Sequence, residues 1–175
     1  MVAHEFETFI LEWDTVKNLL KEWKCEVVCF QETKLDYTNS ATVKSLWGNS
    51  SVDWGALDSI HTAGGNLVIW DTRVFEKIDC VVGSFFVSVL LKGVADGFVW
   101  ICTGVYGPND AGLRDALWVE LDSVRARWSL AWCVLGDFNI IRYPAECLGC
   151  NSFSPAMFNF LDFIERNLLV GGEYT

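Results

Sequence analysis

The run 131–141, Ala-Trp-Cys-Val-Leu-Gly-Asp-Phe-Asn-Ile-Ile, constrains this chain more than any other stretch. Its apolar part is short, rich in β-compatible side chains and ended by Gly136, which predicts a strand buried on both faces. Asp137 and Asn139 then stand at its C-terminal end, framed by Phe138 and two isoleucines. Strand ends are rigid platforms, and crevices outside them commonly take ligands in α/β folds. An Asx turn, in which Asp137 and Asn139 bond their own backbone, accounts for the same residues. The choice depends on the rest of the chain.

Apolar runs that deliver polar groups recur along it. A helix is expected from Asp14, which can cap it, with Val16, Leu19, Leu20 and Trp23 on one face. The strand 25–30 follows and ends in Gln31-Glu32; alone, Glu32 reads as a solvated loop residue. A short helix over 39–48 turns Val43, Leu46 and Trp47 inward, and strands are expected over 50–60 and 66–71. Between these two strands, His61 reads as a solvent-facing loop residue more readily than as a base or ligand, and Gly64-Gly65 permits a tight turn. Two long antiparallel strands, 76–91 and 97–106, are joined by a Gly/Asp turn, and the second ends in Tyr106-Gly-Pro-Asn109. A helix over 113–128, with Asp110 before it as a cap, lines up Leu113, Leu117, Leu121, Val124 and Trp128. After the loop 142–151, Ser154-Pro155 starts a last helix that buries Met157, Leu161, Ile164 and Leu168. Residues 171–175 read as the opening of another strand. The alternation predicts mixed α/β, sheets inside and helices outside.

With 175 residues, 51% hydrophobic and 21% charged, the chain has material for one packed core. Its net charge of −10, with no Lys/Arg run, argues for weak binding to nucleic acid, because basic surface supplies most affinity for phosphate backbones. No secretory signal is legible, and the uncharged apolar stretches are shorter than the ~20 residues of a membrane span. An intracellular protein, nuclear or cytoplasmic and without a membrane partner, is therefore expected. The seven cysteines agree, being odd in number and mostly inside apolar runs. Cys147-Leu-Gly-Cys150 has a metal-like spacing but lacks a second ligand pair. Nothing in the sequence specifies an oligomeric state.

If the strand ends share a crevice, they supply two carboxylates, two amides and a phenol. Such hard oxygen donors suit Mg²⁺ or Mn²⁺ better than zinc. Asp137 could orient or deprotonate a water, while Asn139, Asn109 and Tyr106 donate to a phosphate. Four sequence words then stand in order: Val-Val-Cys-Phe-Gln-Glu-Thr-Lys at 27–34, Gly-Gly-Asn-Leu-Val-Ile-Trp-Asp at 64–71, Val-Tyr-Gly-Pro-Asn at 105–109 and Gly-Asp-Phe-Asn-Ile-Ile-Arg at 136–142. Together they resemble the endonuclease/exonuclease/phosphatase family, most closely the apurinic-type endonuclease domain of plant LINE-like non-LTR retrotransposons. The resemblance implies a two-sheet α/β sandwich and Mg²⁺-dependent (or Mn²⁺-dependent) phosphodiester cleavage that nicks DNA. By position it makes Glu32 the metal ligand, places Tyr106 and Asn109 beside the phosphate, gives Asp137 the water nucleophile, and has Asn139 position the phosphate.

Two departures qualify that expectation. The family's opening strand carries an Asn in a Trp-Asn-x-x-Gly setting, where this chain has the divergent segment 1–13. Its closing Ser-Asp-His motif has no counterpart in 14–175, and His4 and His61 match neither place. The domain is thus expected to be partial, lacking the first and the C-terminal strands, and to cleave weakly or not at all. A non-catalytic interaction module or decayed retroelement product, and a phosphatase of the same fold, are the alternatives.

Overall fold

The computed structural model describes residues 14–59 and 64–170. The expectations for 1–13, His61 and the strand opening at 171–175 lie outside the described residues. In chain order the elements are helix α1 (14–23), β1 (Val27–Gln31), α2 (Ser40–Trp47), β2 (Val52–Leu57), β3 (Asn66–Asp71), β4 (Phe75–Val82), β5 (Phe86–Gly93), β6 (Val99–Tyr106), α3 (Ala111–Arg127), β7 (Ala131–Asp137) and α4 (Pro155–Arg166). The strands form two sheets, β1-β3-β2 and β4-β5-β6-β7, antiparallel throughout except for the parallel pair β6–β7.

Each sheet is covered on both faces, which explains why central strands read as unbroken apolar runs. In β3, Leu67 and Ile69 pack with Leu20, Val43, Leu46 and Trp47 of α1 and α2, while Val68 and Trp70 meet Val87, Val89 and Leu91 of β5 between the sheets. The outer face of the second sheet carries Phe86, Leu90, Ile101 and Val105, and α3 and α4 cover it with Leu117, Trp118, Leu121, Phe160 and Phe163. The result is an α/β sandwich of two sheets with helices outside, as expected from the sequence.

The helix caps follow their local chemistry. Asn39, Asp110 and Ser154 accept from the backbone N–H three residues on, and Gly48 closes α2 in the left-handed conformation at φ +84°. Several expectations need correction. Asp14 is already helical and pairs with Lys17 at 3.5 Å, so it does not cap α1. Leu20 is buried as expected, but Trp23, Leu113 and Leu168 are exposed; α3 and α4 bury Trp118, Phe160 and Phe163, whose larger aromatic rings fill the space above the sheet. The long strand 76–91 is a hairpin. Its turn at Gly83-Ser84-Phe85 is hidden by apolar neighbours and is held from α3, where Glu120 accepts from the Ser84 N–H at 2.9 Å and its hydroxyl at 2.7 Å.

The run that ends in Asp137 is not buried on both faces. Among the described residues β7 is an edge strand, hydrogen-bonded only to β6. Trp132 and Val134 pack toward α3 and α4 and Leu135 packs between the sheets, but Ala131 and Cys133 stay exposed on this edge strand.

Candidate active site

Asp137 and Asn139 are aimed by the residue between them. Phe138 turns into the helix layer, its ring centroid 5.8 Å from Trp118 and 5.0 Å from Phe160. Alternation along the chain therefore faces its two polar neighbours away from that core. Two glycines make the close approach possible. Gly136 has φ +140°, and a Cβ there would lie 2.0 Å from the Val105 carbonyl oxygen. A Cβ on Gly107 would lie 2.5 Å from the Phe138 oxygen. With that contact open, the Gly107 N–H donates to the Asp137 carbonyl at 2.7 Å and Asn139 Nδ2 donates to the Gly107 carbonyl at 2.6 Å.

The Asx turn is also present: the Asn139 N–H donates to Asp137 Oδ1 at 2.7 Å. It occupies one carboxylate oxygen of an exposed side chain and leaves the other free. The turn and the chemical reading are thus compatible; the turn fixes the direction in which Asp137 points.

Tyr106 is the hub. It pairs in register with Asp137 across β6–β7, and its hydroxyl donates to Glu32 Oε1 at 2.5 Å. The Glu32 carboxylate raises the phenol above its ordinary value, burial and the Asp137 charge add to this, and a bond from Asn139 pulls the other way. The phenol accordingly stays a protonated donor at neutral pH. Glu32, at φ +49°, and Asn139, at φ +50°, both hold left-handed backbone, which costs an L residue about 1–2 kcal/mol and less for asparagine. Gln31 secures the strand end before Glu32 by donating Nε2 to the Val105 carbonyl at 2.9 Å.

Asn109 lies at the exposed rim. Beside Tyr106 opens a hollow of about 370 Å³ lined by Gly65, Asn66, Phe85, Tyr106, Pro108 and Asn109, among others. The structure thus gathers Glu32, Tyr106, Asp137 and Asn139 tightly and sets Asn109 at their edge.

Two residues escaped the sequence reading. Arg114 donates Nη1 to the carbonyls of Pro108 (3.2 Å), Asn109 (2.9 Å) and Asn139 (3.1 Å), tying the two site loops together. In the sequence it is an ordinary charged residue on the first turn of a helix, with no signal of this role. Asn66 is 1% exposed; it accepts from the Cys29 thiol at 3.4 Å while its Nδ2 has no partner. An asparagine inside an apolar strand run was the available sign.

A divalent cation fits the donor set within limits. Glu32 keeps one oxygen free beyond its bond from Tyr106, and Asp137 keeps one beyond its turn. Among the described residues no group of three His, Cys, Asp or Glu side chains could enclose a metal. Mg²⁺ tolerates this, since it commonly keeps several waters and is held by one or two carboxylates plus substrate phosphate. Cys147 and Cys150 lie in the loop between β7 and α4, and among the described residues no third thiol, histidine or carboxylate completes a metal site with them.

Residues 14–164 match the model of the Endonuclease/Exonuclease/phosphatase family. Among solved structures, the mannosyl-6-phosphatase Bt3783 of Bacteroides thetaiotaomicron aligns with a TM-score of 0.60 at 10% identity over 86% of this chain and 61% of that one. An endonuclease/exonuclease/phosphatase family protein from the same organism aligns at 0.57 and 11% identity, over 73% and 54%. The human Nocturnin catalytic domain with bound sulfate aligns at 0.52 and 13%, over 74% and 58%. The chain thus spans between 54% and 61% of the length of these structures, and the likeness shows the fold alone. A search of curated proteins returns no match. Among the described residues no helix is long and apolar enough to cross a membrane.

Proposed function

The chain belongs to the endonuclease/exonuclease/phosphatase family, a family of hydrolases that generally use divalent metal ions, and on that premise we propose that it carries the site of a Mg²⁺- or Mn²⁺-assisted DNA phosphodiesterase, a remnant of a retroelement target-nicking endonuclease with little or no activity of its own. The observation that supports this reading best is the environment of Tyr106: a phenol bonded by one carboxylate, facing a second, with an amide alongside.

In this reading Glu32 holds the cation, whose contribution when bound is to neutralise charge on a phosphoryl oxygen. Asp137, its direction set by the turn to Asn139, takes a proton from the attacking water through its free oxygen. With substrate bound, Tyr106 turns its single O–H from Glu32 Oε1 to the phosphate, and Asn139 and Asn109 are neutral donors toward charge that grows in the transition state. Arg114 acts indirectly, by fixing the loops that present Asn109 and Asn139. Weak turnover fits the donor count, because a single carboxylate, Glu32, would hold a hydrated cation loosely until substrate joins it. The retroelement assignment rests on the motif words at 27–34, 64–71, 105–109 and 136–142.

Net charge favours a second reading. At −10 the chain repels a polyanion on average, whereas a small phosphomonoester carries little of that cost. The test is to incubate the chain with supercoiled plasmid, an abasic duplex and a sugar phosphate, each with Mg²⁺ and with Mn²⁺, beside Glu32→Gln and Asp137→Asn. Trace nicking lost in both variants supports the endonuclease reading. Turnover of the sugar phosphate alone supports the phosphatase. Activity on any substrate that survives both substitutions contradicts the site.

A further inference from the structure

The Cys147-Leu-Gly-Cys150 word is absorbed by neither the fold nor the site. It forms a turn in which the Cys150 N–H donates to the Cys147 carbonyl at 3.3 Å, with Gly149 at φ +84°. A second turn leads into it: the Cys147 N–H donates to the Pro144 carbonyl at 3.1 Å, and Glu146 Oε2 accepts from the Arg142 N–H at 2.7 Å. The backbone between the two cysteines is therefore already folded back on itself, so joining them removes little further conformational freedom. Both are free thiols; Cys147 is exposed, with its thiol 3.7 Å from the Leu148 carbonyl, and Cys150 is half-buried three residues on across the turn.

The other thiols differ. Cys102 is fully buried, and burial pushes the Cys29 thiol up to about 12 and raises those of Cys80 and Cys102 as well, which keeps them protonated and slow to react. Cys133 is exposed on β7, but its register neighbour Cys102 is fully buried, whereas in the Cys147–Cys150 loop neither thiol is fully buried.

We propose that Cys147 and Cys150 form a reversible intraloop disulfide, a thiol-oxidation site in the segment that begins three residues after Asn139. With a hydroperoxide as oxidant, the exposed Cys147 thiolate attacks the terminal peroxide oxygen; the O–O bond breaks and leaves a sulfenic acid and, after protonation, an alcohol or water. Cys150 then attacks the sulfenic sulfur, the S–S bond forms and water leaves. Two thiols are oxidised by two electrons and one peroxide is reduced. Cys147 is the more exposed of the two, which gives it the first attack on an oxidant from solvent and leaves Cys150 to resolve the sulfenic acid. A small exposed ring of this kind is readily reduced by a dithiol, so the step runs in both directions. Its structural effect falls on the chain between β7 and α4: the ring locks the turn while Arg142 and Tyr143, stacked with 5.1 Å between guanidinium carbon and ring centroid, stand at its near end.

The experiment takes the full reduced chain, adds one equivalent of hydrogen peroxide, blocks remaining thiols by alkylation and locates disulfides by mass spectrometry of a non-reduced digest. The expected result is a peptide containing Cys147 and Cys150 that has lost two hydrogens and resists alkylation, five of the seven cysteines still alkylated, and full recovery of seven after dithiothreitol. Cys147→Ser and Cys150→Ser should each abolish that peptide, and Cys150→Ser should leave Cys147 trapped as sulfenic acid. The wild-type digest decides the matter even if a variant folds poorly. A disulfide between Cys102 and Cys133, which face each other in register across β6–β7, overturns the proposal, as does irreversible oxidation of Cys147 with Cys150 still free.

Discussion

The two ends of the β1–β3 pair each carry carboxylates, and they are used in opposite ways. At the end of β3, Asp71 is 6% exposed and fully engaged. Arg73 donates to it through Nε at 2.9 Å and Nη2 at 2.6 Å, and the Arg73 backbone N–H adds a third bond at 2.8 Å. At the other end Glu32 and Asp137 are exposed, each with one oxygen committed and one free. Arg73 holds the Asp71 carboxyl below its ordinary value, whereas among the described residues no cation pairs with Glu32 or Asp137. In sequence all three are acidic residues at or just past a strand end. A saturated carboxylate stabilises a corner of the fold; an unsaturated pair around a phenol can receive something from outside.

The largest expected effect is on catalysis at the open end. Whatever phosphoester turnover the chain shows should fall about 10²–10⁴-fold in Asp137→Asn, measured as initial rate, while its free energy of unfolding in urea titrations stays within about 0.5 kcal/mol of wild type. Next is Gly136→Ala, which must relieve a 2.0 Å contact with the Val105 carbonyl at φ +140°. It should cost about 1–3 kcal/mol by chemical denaturation and also remove activity, because Asp137 moves with the strand. Asp71→Asn should cost about 1–3 kcal/mol and leave activity per folded molecule unchanged, the reverse of Asp137→Asn.

The smallest effect is in pH dependence, and its sign differs between the two ends. The folded-state value of Asp71 is lowered, so its stabilisation is present above its ordinary value of 3.8 and is lost as pH falls through the lower folded value. Tyr106 is raised, so its contribution is present below its ordinary value of 10.0 and is lost as pH rises through the higher folded value. Melting curves across acid and alkaline pH should therefore lose the acid-side change in Asp71→Asn and the alkaline-side change in Tyr106→Phe.

The sequence was most legible where one physical rule acted alone. The bounds of β3, the capped helix α2 and the caps Asp110 and Ser154 follow from local propensity and side-chain hydrogen bonding, and each is present. It was least legible where long-range packing decided. Nothing local shows that Glu120 of α3 holds the Gly83–Phe85 turn, that β7 lies at an edge, or that Trp118 displaces Leu113 from the buried face. The site shows the same division. Glu32, Tyr106, Asp137 and Asn139 were readable because each stands in a strand-end word, whereas Arg114 acts through three carbonyls from two loops, which no spacing along the chain encodes.

The contrast between a closed and an open acidic end can be tested in the absence of any turnover. Titrating substoichiometric Mn²⁺ into isotope-labelled chain and following paramagnetic broadening of backbone amides reads both ends at once. Broadening centred on Glu32, Tyr106 and Asp137, lost in Glu32→Gln, with Thr72 and Arg73 left sharp, is the result expected. Broadening centred on Asp71, or none above the diffuse effect of free cation, would contradict the assignment of the Glu32–Asp137 end as the place where cation and phosphate meet.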